Sequence, residues 1–201
     1  MNARVLIALL LVAGFGLGAA VLATRSGDES AADPEGGGSR FEGALMPAGV
    51  RAPDFDLRDE HGDRVSMRSF RGKPVIVTFL YTHCDDTCPA QAQTVRGAFD
   101  DLGTDVPAIA VSVDPAHDTE HSARAFLGEQ RALGRIHFVL GTRAQLRPLW
   151  KGFYVAPQRV SAEHQAHFTL VDKRGFQRIG FPGDKATPET LAHDVRLLED
   201  E

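Results

Sequence analysis

Pro74-Val75-Ile76-Val77-Thr78-Phe79-Leu80-Tyr81 runs directly into Thr82-His83-Cys84-Asp85-Asp86-Thr87-Cys88-Pro89. The first half is apolar and β-branched, the composition of a strand buried on both faces in the middle of a sheet. The second half carries the chain's 2 cysteines and ends on a proline suited to the first turn of a helix. A central strand that passes the chain to a helix through such a loop lies where α/β sheets usually hold ligands, beyond the carboxyl ends of the strands. Cys88 is therefore expected at the helix start and Cys84 in the preceding loop. In regular helix their Cβ atoms would stand about 5 to 6 Å apart, too far for a disulfide that needs about 3.8 Å. A loop conformation at Cys84 removes that obstacle.

Strands and helices alternate on either side of this segment. Before it, Pro53-Asp54-Phe55 leads into a hairpin that turns at His61-Gly62-Asp63 and returns through Arg64-Val65-Ser66. After it, the spacing of Ala92, Val95, Phe99 and Leu102 predicts a helix over Pro89 to Leu102. Val106 to Val113 reads as a second buried strand. A helix from Thr119 to Leu133, capped by Asp118, and a strand from Ile136 to Leu140 follow. Thr142 to Phe153 reads as a helix containing Pro148. His167 to Val171 and Phe176 to Phe181 read as strands joined by Asp172-Lys173-Arg174-Gly175, and Thr187-Pro188-Glu189 starts the last helix. The pattern predicts an α/β fold, a mixed β-sheet flanked by helices.

The amino terminus differs from this body. Val5 to Ala23 is an unbroken apolar or glycine run between Arg4 and Arg25. At about 1.5 Å per residue it approaches the ~30 Å hydrocarbon core of a bilayer, and it exceeds the usual signal-peptide core of about 7 to 15 residues. A transmembrane anchor over residues 1–25 is expected, with a cleaved signal as the competing reading. The stretch 26–40, with Gly36-Gly37-Gly38, reads as a flexible tether, and 41–201 as the folded domain. With Arg4 and the free amine before the run, and Asp28, Glu29, Asp33 and Glu35 soon after it, the charge bias favours an outside carboxyl terminus, so the domain is expected on the periplasmic or outer face. A net charge of -5 offers no basic surface for phosphates, which argues against nucleic acid as a partner.

An exported domain with one cysteine pair invites a redox or metal reading. A structural disulfide is the bland alternative, but so short a loop gains little from closure. The helix N-terminus favours a thiolate, which is both the nucleophile of disulfide exchange and a soft ligand for Cu(I). Asp85 and Asp86 oppose further negative charge nearby, and a bound cation would offset them.

Phe79-Leu80-Tyr81-Thr82-His83-Cys84-Asp85-Asp86-Thr87-Cys88-Pro89 resembles the motif of the Sco/SenC family of copper chaperones. Val111-Ser112-Val113-Asp114-Pro115-Ala116-His117-Asp118-Thr119 resembles that family's second signature, Ala52-Pro53-Asp54-Phe55 its opening strand, and His164 to Gly175 the segment with its metal-binding histidine. The resemblance implies a thioredoxin-like fold with an N-terminal transmembrane helix. It also implies a copper site of Cys84, Cys88 and His164 serving the copper-site subunit of cytochrome c oxidase, or another copper protein. Asp85 stands where the family usually has proline, and Leu80 where glycine is common. Family spacing selects His164 over His167, and His83 is expected beside the site rather than in it.

Two other readings of the same cysteines remain. A thiol:disulfide oxidoreductase maintaining the cysteines of a copper-site protein needs only Cys84 and Cys88, one thiolate attacking and the other resolving. Such reductases usually place a cis proline before the facing strand, and Gln158 to His167 contains none. A peroxiredoxin-like peroxidase fits less well, since its reactive cysteine usually follows proline and threonine and lacks a partner at this spacing. Asp114 and Asp118 are read as a strand-end turn and a helix cap.

Overall fold

In the computed structural model, which describes residues 39–156 and 166–201, the chain opens with β1 (Ala44–Leu45), β2 (Asp56–Arg58), β3 (Arg64–Ser66) and a 3-10 turn at Met67–Phe70. It continues through β4 (Val75–Leu80), α1 (Thr87–Leu102), β5 (Ala108–Ser112), α2 (Glu120–Glu129), β6 (His137–Val139) and α3 (Arg143–Gly152). It closes with β7 (His167–Val171), β8 (Gln177–Pro182) and α4 (Pro188–Asp200). Residues Ser39–Glu201 form one compact unit. The apolar run Val5–Ala23, the tether as far as Gly38 and His164 lie outside the described residues. Among the described residues no helix is long and apolar enough to cross a membrane.

One mixed sheet of 6 strands has the order β1-β8-β7-β4-β5-β6, while β2 and β3 form a separate hairpin. β4 runs parallel to β5 and antiparallel to β7, and every residue of it is buried. Its alternate side chains feed two cores, which explains the unbroken apolar sequence. Ile76 and Leu80 pack with Val95 and Phe99 of α1, Phe126 of α2 and Leu191 and Val195 of α4. Val75, Val77 and Phe79 pack with Leu146, Leu149 and Trp150 of α3 and with Leu57 and Val65 of the hairpin.

α1 and α4 cover the same face of the sheet and cross closely at a glycine. A Cβ built on Gly97 would stand 2.8 Å from Cγ of the Pro188 ring. That ring cannot swing aside like a flexible side chain, so a Gly97→Ala chain must shift α4. We expect the overpacking to outweigh alanine's better helix propensity and to cost about 1 to 3 kcal/mol. Urea denaturation checks this, and an unchanged midpoint would show that the crossing has slack.

The expected element order holds, with local corrections. α2 starts one residue later than expected because Thr119, not Asp118, is its cap: the Thr119 side chain accepts from Ser122 N and the Ser122 side chain closes the box. It also ends early, at Glu129, where Arg131 takes a φ of 55° and Gly134 a φ of 78° to redirect the chain. α3 runs through Pro148. β1 pairs with β8 at the sheet edge and is too short to leave a periodic signal.

Candidate metal centre

β4 ends at Leu80, and the loop beyond it is pinned from the neighbouring strand. Asp118 Oδ1 accepts from the Thr82 backbone N–H and the Thr82 hydroxyl, each at 2.8 Å, while Oδ2 accepts from Ser112 Oγ. The Val113 N–H donates to Leu80 O at 3.0 Å, and the Asp114 carbonyl accepts from the His117 and Asp118 N–H groups to form the turn that delivers Asp118. Asp118 thus ties the β4 and β5 ends together instead of capping a helix. Its burial pushes the carboxyl up, against these hydrogen bonds, which favour the carboxylate.

Cys84 lies in the loop and Cys88 at the second position of α1, as expected. Both are free thiols, Cys84 nearly buried and Cys88 completely so. The Cys88 backbone N–H donates to Cys84 Sγ at 3.3 Å, so an unpaired amide of the helix start is aimed at the sulfur. Burial pushes the Cys84 thiol up, but the Cys88 side chain, the Asp86 and Cys88 amides and the Tyr81 hydroxyl outweigh it, leaving its pKa lowered. Cys88 is pushed up, by burial and by its interaction with Cys84. Tyr81 is raised as well, by burial and its bond to Cys84. Asp85 and Asp86 are exposed beside this pair.

The two thiols are therefore unequal. Because the anion is the reactive form and Cys84 has the lowered pKa, its alkylation by iodoacetamide should rise with pH and level off below the ordinary thiol range. Cys88 should remain unlabelled until higher pH. Mass spectrometry of peptides labelled across a pH series checks this, and equal labelling of both would contradict the asymmetry.

Gln91, one turn beyond Cys88, locks the helix to the sheet. Its Oε1 accepts from Thr78 Oγ1 at 2.8 Å and from the His167 N–H at 3.3 Å. A polar residue on the apolar face of α1, spaced like Ala92 and Val95, was the one sequence cue to it. Tyr81 and Asp118 lie within the two quoted motifs, but no local pattern marks their contacts with Cys84, Thr82 and Ser112. At the start of β7, Phe168 and Leu170 join the core that contains both cysteines, so His167 belongs to the opposite face of the strand. Its Nε2 lies 3.0 Å from Thr169 Oγ1. His83 is exposed, with Nδ1 3.1 Å from Thr82 Oγ1 and its ring 6.2 Å from that of His117.

A mixed sheet whose central parallel strand delivers a Cys-x3-Cys pair to a helix N-terminus defines a thioredoxin-like thiol protein. Within that class the chain belongs to the SCO1/SenC family, whose family model matches residues 46–199. It is similar to Protein sco1 of Schizosaccharomyces pombe, 28% identical over 70% of this chain and 58% of that protein, so it spans little more than half of that relative's length. The structure of Bradyrhizobium japonicum ScoI with copper bound matches with a TM-score of 0.60 at 28% identity, covering 74% of this chain and 99% of that one. BsSco, a member of the Sco family of cytochrome c oxidase assembly proteins in which a disulfide switch was identified, shares the fold. Its TM-score is 0.67 at 22% identity, over 78% of this chain and 98% of that chain.

Proposed function

We propose that this protein binds copper through Cys84, Cys88 and His164 and delivers it to, or prepares, the copper centre of cytochrome c oxidase. The observation that carries this reading is the pair of free, nearly buried thiols with a helix amide on the outer sulfur. Two soft sulfur donors suit Cu(I), and an added imidazole would extend the site to Cu(II). The exposed Asp85 and Asp86 favour a cation at the mouth over free thiolates. That a relative's structure contains copper supports the same assignment. Copper here is cargo, so binding and release are the activity. The run Val5–Ala23 would hold the protein at the cell membrane as a single-pass anchor, with the domain on the extracytoplasmic side.

The test loads the reduced full-length chain, in detergent, with Cu(I) and Cu(II) and compares it with His164→Ala. We expect one copper per wild-type chain. Removing the imidazole should weaken Cu(II) by more than about tenfold, the least that even an outer partner's loss usually costs, and Cu(I) by less. Unchanged stoichiometry and affinity for both ions would refute the three-ligand site.

The inequality of the two thiols favours a second reading, thiol:disulfide exchange. The Cys84 thiolate would attack a partner disulfide, and Cys88 would then displace the partner's second thiol. The partner gains two electrons and two protons, and this chain is left with a Cys84–Cys88 disulfide. Loss of oxidase assembly in cells with Cys84→Ser but not with His164→Ala would select this alternative.

A further inference from the structure

Far from the cysteines, the turn joining β2 to β3 meets the start of β6. β4, β5 and β6 are mutually parallel, so the cysteines, beyond the end of β4, and His137, at the start of β6, occupy opposite ends of the sheet. Asp59 and Glu60 are consecutive in this turn and only 2% and 1% exposed. Two carboxylates so buried need compensating positive charge or hydrogen bonds.

Each spends one oxygen on the backbone. Asp59 Oδ1 accepts from the His61 and Asp63 N–H groups, each at 3.0 Å, and Glu60 Oε2 accepts from the Phe138 N–H at 2.7 Å. The other oxygens face imidazoles: Asp59 Oδ2 lies 2.9 Å from His137 Nδ1, and Glu60 Oε1 lies 3.4 Å from His61 Nε2. One ligand atom from each of Asp59, Glu60 and His137 falls within 4.8 Å of the others. Donors about 2.0 to 2.2 Å from one metal stand roughly 2.8 to 3.6 Å apart at octahedral to tetrahedral angles; the 2.9 Å Asp59–His137 contact falls in that range, and the Glu60 oxygen lies within 4.8 Å of both.

We propose that Asp59, Glu60 and His137, with His61 at the rim, form a second metal site for a borderline divalent cation of the Zn(II) class. The backbone N–H groups hold both carboxylates in place, so little ordering is left for binding to accomplish. The donor set is oxygen and imidazole, without sulfur, and therefore selects differently from the cysteine pair. A bound cation would replace the histidine proton on Asp59 Oδ2 and clamp the hairpin to β6.

The competing account is that the histidines serve only as hydrogen-bond partners and counter-charges. To separate the two, the untagged full-length chain carrying Cys84→Ser and Cys88→Ser is titrated with ZnCl2 in detergent at neutral pH by calorimetry. One Zn(II) should bind per chain, and His137→Ala or Glu60→Gln should weaken it by more than about tenfold. Absence of saturable binding, or binding unchanged by both substitutions, overturns the proposal. Circular dichroism tests the folding of each variant. If Glu60→Gln fails to fold, half-exposed His137 decides the outcome alone. Since the cysteines are absent throughout, the result is independent of the copper assignment.

Discussion

Replacing Cys88 with serine should abolish tight Cu(I) binding while leaving the domain folded. The side chain is completely buried at the start of α1, where serine offers a smaller, harder oxygen in place of a soft sulfur. Loss of an outer-shell partner typically costs about 10- to 100-fold in metal affinity, so loss of a direct thiolate donor should exceed about 100-fold. Competition with a colorimetric Cu(I) chelator reads the effect. The Cys88 and Asp86 amides remain in the variant but the Cys88 thiol does not, so Cys84 should still alkylate, with its pH profile moved towards that of an ordinary thiol. A Cys88→Ser chain that kept wild-type Cu(I) affinity would remove Cys88 from the site.

The largest stability effect near the site is expected at Asp118. Asp118→Ala leaves the Thr82 N–H, the Thr82 hydroxyl and the Ser112 hydroxyl without their shared acceptor. Unmade hydrogen bonds to a charged group of this kind add up to about 3 kcal/mol, with water recovering part at the half-buried edge. Asp118→Asn should cost much less. The carboxyl pKa is raised in the folded state, so this group's contribution is greatest below the unfolded pKa and falls as pH rises through the folded one. A neutral amide keeps an acceptor without that penalty at neutral pH. Urea denaturation of both variants at neutral pH checks the order. Alanine should also weaken copper binding, since Thr82 leads directly into Cys84. Equal stability of the two variants would mean that Asp118 does not brace the loop.

The parts of the fold legible in the sequence were those governed by local pattern. Pro74 to Tyr81 announced a central strand because both of its faces are buried, and Thr187-Pro188 announced α4 because capping chemistry is local. The placement of Cys84 and Cys88 followed from Pro89 and the strand before it. Asp118 was misread because Asp and Thr are both good caps and stand side by side; only Ser122, completing the box with Thr119, decides between them. Its actual partners, Thr82 and Ser112, are brought to it by the pairing of β4 with β5, which no local pattern encodes. The Asp59–His137 contact was hidden for the same reason, since its members are remote in sequence. His164 rests on family resemblance alone.

The contact from the Cys88 amide to the Cys84 sulfur is made by main chain, so every amino acid except proline at position 88 can supply it. Its persistence is a property of the fold rather than of a side chain. A change of side chain around the motif, such as aspartate following Cys84, can therefore retune the mouth of the site while the amide's share of the sulfur's support stays in place.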